Sequence, residues 1–343
     1  MSAGRAFSTT STNSTPASSD GSEKISGLEA VEVSLADLVS LNSAIKRLAL
    51  KSPKIRASLS GNYVSKVKGR GMEFDEVRLY APGDDVRCLD WRVTARTGKV
   101  HTKLYREERE RPIFLVTDFR STMFFATRGV FKSVLAAKLT ALIAWSGNRH
   151  ADRIGGQIFT DRETFEFEPR RGNAGILHLL KRLADLSSSL RKNSGPNQNG
   201  GVVADEVAVT SEHSLANALE RLNSHILPGN LIFLFSDFRG LNSYTESLLA
   251  RLTRHCDVIP ILVYDPFESK LPEAGHYWIT DGVKRTSLDG SGHQFLIEYK
   301  QRFQQRKQRM QRLAIKQGMK FLQCSTVDKP LDTLARVLAA QAD

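Results

Sequence analysis

Three apolar stretches, Ile113–Asp118, Asn230–Asp237 and Asp257–Tyr264, are continuous rather than alternating, and each ends on or runs into an aspartate: Asp118, Asp237 and Asp265. A strand that is apolar on both faces must be covered on both, which is the condition of parallel strands with helices above and below. From residue 113 onward, strand alternates with helix. Helix Val130–Asn148 leads to strand Arg153–Phe159, with a hairpin partner near Glu163–Phe167, and then to helices Ala174–Leu190 and Leu215–His225. Beyond the second long apolar stretch come helix Ser243–His255, a hairpin around Trp278–Thr286, helix Gln294–Gln317, strand Met319–Cys324 and helix Pro330–Ala340. Right-handed crossovers between parallel strands build these into a doubly wound α/β sheet. All three aspartates then stand at its carboxyl edge, where open α/β sheets bind their ligands.

The chain before residue 112 is of another kind. Residues 1–28 are rich in Ser and Thr and too poor in apolar groups to offset chain ordering, so they read as a disordered tail. Leu35, Leu38, Leu41, Ile45 and Leu48 recur at helical spacing, giving an amphipathic helix over 29–50 that packs on the domain. Residues 51–111 read as a small β-rich module, with short strands around Tyr63, Phe74–Tyr80 and Val100–Tyr105. Gly69-Arg70-Gly71 lacks the flanks of a phosphate loop and reads as an ordinary turn. Within the module, Pro82-Gly83 marks a rigid turn, and Asp84 and Asp85 are placed to cap backbone N–H groups beyond it. Arg78, Arg87, Arg92 and Arg96 lie at short spacing from Asp84, Asp85 and Asp90, so the expectation is an ion-pair lattice, with Trp91 beside it.

These motifs carry a resemblance. Glu73-Phe74-Asp75-Glu76-Val77-Arg78-Leu79-Tyr80, Pro82-Gly83-Asp84-Asp85-Val86-Arg87, Leu89-Asp90-Trp91 and Ala95-Arg96-Thr97-Gly98, then the Glu107–Arg111 charge run and the strand after it, resemble the bacterial family called domain of unknown function fifty-eight. The likeness is dense from about Gly69 to Met123 and diffuse beyond. The resemblance implies a von Willebrand A-like (Rossmann-like) domain over 112–343 and a MoxR-type AAA+ ATPase as partner, but no reaction.

A von Willebrand A-like strand order would set Asp118 and Asp237 side by side. The metal-ion-dependent adhesion site of such domains needs Asp-x-Ser-x-Ser after the first strand, whereas this chain has Asp118-Phe119-Arg120-Ser121-Thr122. Arg120 replaces the first serine and could neutralise Asp118 without a metal. Mg²⁺ remains an expectation on Asp118, Thr122 and Asp237, with Ser121 and Ser236 as further hydroxyls. The threonine such a site takes from a later helix falls on His213, with Ser211 or Ser214 able to stand in. Asp265-Pro266 reads as a strand-ending turn.

No enzyme constellation is legible. The eight histidines show no HxH or HExxH spacing, and no serine sits in a GxSxG elbow. Three widely separated cysteines, Cys88, Cys256 and Cys324, fit a reducing compartment, and the expected location is cytoplasmic. Net charge is +12, of which Glu298–Lys320 supplies +7 from eight Lys or Arg and one Glu. Helix Gln294–Gln317 places Leu296, Tyr299, Phe303, Met310 and Leu313 on one stripe and its cations on the remainder, which reads as a solvated outer face. The linker 191–201 has the composition of a mobile loop. The functional expectation is a non-enzymatic scaffold coupling an unknown protein client to the ATPase, with Arg78, Asp84, Asp85, Arg87, Asp90, Trp91, Arg96 and Arg120 as interaction residues. The alternative is a metal-dependent nuclease or nucleic-acid binder built on Asp118, Asp237, Asp265 and the basic helix.

Overall fold

A computed structural model describes residues 27–51, 72–107, 112–193, 204–269, 276–280, 285–289 and 293–342. In chain order the elements are α1 (Gly27–Val31), α2 (Leu35–Lys51), β1 (Met72–Leu79), α3 (Trp91–Thr97), β2 (His101–Glu107), β3 (Ile113–Asp118) and α4 (Lys132–Arg149). Then come β4 (Ile154–Phe159), β5 (Thr164–Arg170), α5 (Asn173–Asn193), α6 (Ala204–His225), β6 (Leu231–Ser236) and α7 (Ser243–Leu252). The chain closes with β7 (Asp257–Tyr264), α8 (Pro266–Ser269), β8 (His276–Thr280), β9 (Arg285–Asp289), α9 (His293–Gln317), β10 (Leu322–Ser325) and α10 (Pro330–Ala342).

Six strands form one sheet in the order β10-β7-β6-β3-β4-β5, parallel throughout except for the antiparallel edge strand β5. Every residue of β3, β4 and β6 is buried, as the unbroken apolar runs require. The sheet divides two cores. On one face Leu115, Phe233 and Ile261 pack with α2, α4 and α5; on the other, Val116, Leu234 and Leu262 pack with α6, α7 and α9. Burial of this kind contributes about 25 cal/mol per Å² of apolar surface removed from water. The amphipathic helix α2 does pack on the domain: Leu38 and Ile45 are buried in the first core, and Trp145 Nε1 of α4 donates to the Leu38 carbonyl at 3.0 Å.

Strand order reverses between β3 and β6, which pair in parallel from Ile113↔Leu231 to Thr117↔Phe235. That is the crevice where an open α/β sheet presents its carboxyl ends.

The module is less purely β than its composition suggests. β1 and β2 pair antiparallel, but the chain between them holds a 3-10 turn, Val86–Cys88, and the helix α3. Asp90 caps α3 by accepting from the Arg92 and Val93 N–H groups, and Gly98, at φ 68°, ends it in the left-handed region. Tyr63, the Gly69–Gly71 turn, residues 1–26 of the tail and most of the 191–201 linker lie outside the described residues, while Gly27 and Leu28, assigned to the tail, open α1.

Candidate functional site

Asp118 ends β3 and Asp237 follows β6, so the parallel pairing of these neighbours brings the two carboxylates to one rim. Between them lies Arg120, whose side chain is wholly buried. Its Nε donates to both Asp118 oxygens at 3.0 and 3.1 Å, and its Nη2 donates to Asp118 Oδ2 at 2.6 Å and to Asp237 Oδ1 at 3.3 Å. Nη1 donates to the Arg239 carbonyl at 2.8 Å, fastening the loop after β6 to the loop after β3. Ser236 Oγ donates to Asp118 Oδ2 at 2.6 Å and accepts from the Phe238 N–H at 2.9 Å. Phe238 is held at φ 52°, a left-handed conformation uncommon for a bulky residue.

Three further side chains, those of Lys132, Glu268 and Arg239, complete the cluster, none of them singled out in the sequence. Lys132, the first residue of α4, is wholly buried, and its Nζ lies 3.2 Å from Asp237 Oδ2 and 3.1 Å from Glu268 Oε1. Glu268, on the short helix α8, also takes Arg239 Nη2 at 2.9 Å, and its Oε2 accepts from the Asp265 N–H. A lysine at a helix N-terminus opposes the macrodipole; here the two carboxylates account for it. Asp118, Asp237 and Glu268 thus face Arg120, Lys132 and Arg239, three charges against three.

Burial alone would raise the Asp237 carboxyl, but Lys132, Arg120 and Arg239 outweigh it and hold the group well below its ordinary value. Glu268 follows the same balance and is lowered by Lys132 and Arg239. For Asp118 burial prevails over the pull of Arg120, and the carboxyl sits above its ordinary value.

A divalent cation on oxygen ligands does not fit this arrangement. A guanidinium lies between the carboxylates, both Asp118 oxygens are bonded to it, and the Ser236 hydroxyl is turned onto Asp118 and the Phe238 amide. Thr122 Oγ1 is enclosed without a hydrogen-bond partner, and Ser121 is exposed, its N–H donating to Asp161 at 2.7 Å. Asp265 is turned elsewhere: it accepts from the Thr127 N–H and hydroxyl, the Thr326 hydroxyl and the Phe267 N–H, which makes it a cap for α8. The side chains of Ser211, His213 and Ser214 lie outside the described residues.

The module's aspartates act mainly on backbone. Asp84 accepts from the Ala81 N–H and pairs with Arg78 at 2.6 Å, Asp85 accepts from the Arg87 N–H, and Asp90 caps α3 and lies 3.7 Å from Lys103. The expected lattice is therefore narrower: among the described residues no ion pair joins Arg87, Arg92 or Arg96 to those aspartates, and these arginines are exposed. Trp91 is 69% exposed, and Leu79, Val86 and Val100 are exposed on the same module. Aromatic and arginine side chains left in water together are the pair most enriched at the centres of protein interfaces.

Beside the rim, α9 borders a cavity of about 1110 Å³ with the loop after β6. Arg302, Arg306, Arg309, Arg312 and Lys316 line it from the helix; Arg302, Arg312 and Lys316 are exposed, as a solvated outer face requires, while Arg306 and Arg309 are half-buried.

The sequence model of the family described as "Protein of unknown function DUF58" matches residues 76–311. An uncharacterized protein of Mycobacterium bovis and uncharacterized proteins of two Mycobacterium tuberculosis strains are each 30% identical to the chain over 254 residues, covering 73% of it and 74% of their own length. Among the described residues no helix is long and apolar enough to cross a membrane.

Proposed function

The chain belongs to the DUF58 family, and we propose that it is a cytoplasmic, non-enzymatic scaffold, von Willebrand A-like in fold, that couples a protein client to a MoxR-type AAA+ ATPase. The strand order, with one antiparallel edge strand beyond β4, supports the von Willebrand A-like reading. The ATPase is the partner that the resemblance of the 73–98 motifs implies.

The observation that carries the scaffold reading is the contrast between rim and module. At the rim, where an α/β enzyme would expose reactive groups, the carboxylates are buried and bonded to the protein's own cations. Recognition groups stand out in water instead: Trp91 on α3, with Arg87, Arg92 and Arg96 exposed on the same module. The rim lattice then fixes the loops of the sheet edge, and Arg120 supplies the positive charge that a cation supplies in an adhesion-type site.

The test is recovery of the tagged chain from its native cells with mass spectrometry of what accompanies it. A MoxR-type ATPase should co-purify with the parent and be lost with Trp91→Ala, whose melting temperature should stay within about 2 °C of the parent's because surface substitutions are usually near neutral. An ATPase retained by Trp91→Ala, or absent from both, would remove the module as its docking surface.

A further inference from the structure

We infer that the cavity between α9 and the loop after β6 is a binding site for an acidic segment of a partner protein, a run of closely spaced Asp and Glu side chains in extended form. This deepens the scaffold reading and rests on it in taking the ligand to be a protein.

Arg302, Arg306, Arg309, Arg312 and Lys316 recur at three- and four-residue spacing, so they fall on one stripe of α9, and Arg239 faces them from the loop. Among the described residues two carboxylates, Glu246 and Glu268, line the same cavity against six cations, so the net charge of the described lining is +4. From Arg302 to Lys316 the helix rises about 21 Å, at 1.5 Å per residue. At about 3.3 Å per residue, an extended peptide of about six residues spans that track.

The chemistry of the ligand follows from what the guanidinium groups already hold. Arg309 pairs with Glu246, and Arg239 pairs with Glu268 at 2.9 Å. Carboxylates are thus groups this wall already bonds, and a planar guanidinium takes them in a fork that an ammonium cannot reproduce. A nucleic-acid strand would want aromatic faces on which to stack its bases. The two aromatic residues of the lining, Phe238 and Phe303, are 0% and 3% exposed and belong to the core beneath. The cavity therefore offers charge and length without a stacking platform.

The test titrates the full chain into a fluorescein-labelled peptide of about six alternating glutamate and aspartate residues and follows anisotropy. Binding is expected, weakening as salt is raised from about 50 to about 200 mM because the contacts are exposed charges. Arg302→Glu/Arg312→Glu, both at exposed positions, should weaken it about tenfold or more with circular dichroism unchanged. Lys300→Glu, exposed on α9 but outside the lining, should change it less than about twofold.

No peptide binding at the lower salt would overturn the inference, as would equal loss with Lys300→Glu or tighter binding of a single-stranded oligothymidylate of matched charge. Inorganic tripolyphosphate serves as competitor, and displacement at concentrations below the peptide's own would reassign the cavity to phosphate and overturn it too. Failure of the peptide while the ATPase still co-purifies removes this inference alone; loss of the ATPase with peptide binding intact removes the scaffold reading and leaves the cavity.

Discussion

Replacing Arg120 with methionine, which keeps the length of the side chain and removes its charge, tests the rim directly. Asp237 would keep Lys132 and Arg239, but Asp118 would keep only the Ser236 hydroxyl and the Arg120 backbone N–H, and the Arg239 carbonyl would lose its donor. Removing one partner of a buried pair costs about 3–5 kcal/mol, because an uncompensated charge stays behind. At about 2–4 °C per kcal/mol for a domain of this size, the melting temperature should fall by roughly 6–20 °C. The loss should depend on pH in a definite sense. Asp118 already sits above its ordinary value through burial, and without Arg120 it rises further. A carboxyl whose folded pKa exceeds its unfolded one lowers stability as pH rises through that pKa. The difference between Arg120→Met and the parent should therefore shrink as pH falls from about 8 to about 5, and Asp118→Asn in the Arg120→Met background should recover much of it. Calorimetry at those two pH values checks this. A fall of under about 2 °C at neutral pH, or one no smaller in acid, would refute the reasoning.

Other consequences follow from the same geometry. Arg120→Ser restores the Asp-x-Ser pattern; it should be as unstable as Arg120→Met in EDTA but regain several degrees in millimolar Mg²⁺, while the parent stays put, and thermal melts with and without the ion decide it. The lowered carboxyls of Asp237 and Glu268 contribute stability that is full above their unfolded values, 3.8 and 4.5, and is lost as pH falls through their folded values. Urea unfolding in a pH series should thus show an acid limb below about 4.5, moved to higher pH by Lys132→Met. Burial holds the Asp152 carboxyl up, to about 6, so an NMR titration should find its midpoint there, and Asp152→Asn should stabilise the chain above that pH and leave it unchanged in acid. Gly129 has φ 76°, and a Cβ there would run into the Thr326 carbonyl, so Gly129→Ala should cost roughly 1–3 kcal/mol in the same urea assay.

Much of the sheet was legible because burial on both faces leaves so plain a mark. Ile113–Asp118 and Asp257–Tyr264 are strands over the residues their apolar runs delimit, and the meeting of Asp118 with Asp237, after β3 and β6, followed from the strand order that the family resemblance implied. The helix α3 was missed although both its stops were present, Asp90 as cap and Gly98 beyond the end; β-prone neighbours on either side hid a seven-residue helix. Lys132 and Glu268 were missed for another reason. Each is one charged residue in an otherwise apolar or turn-like setting, and its partners lie more than a hundred positions away or across the sheet rim. The one local hint was a lysine where a helix N-terminus disfavours positive charge. The face of α9 could not be read either, since helical periodicity tells which side is apolar but not what stands opposite the polar side.

Cross-linking of the native complex, with mass spectrometry of the linked peptides, bears on the central claim most directly. Amine-reactive links should join the ATPase to Lys99 and Lys103, two lysines of the module that carries Trp91, and should disappear with Trp91→Ala while the chain stays folded. An ATPase linked only through helices away from the module and the sheet rim, or no ATPase at all, would contradict it.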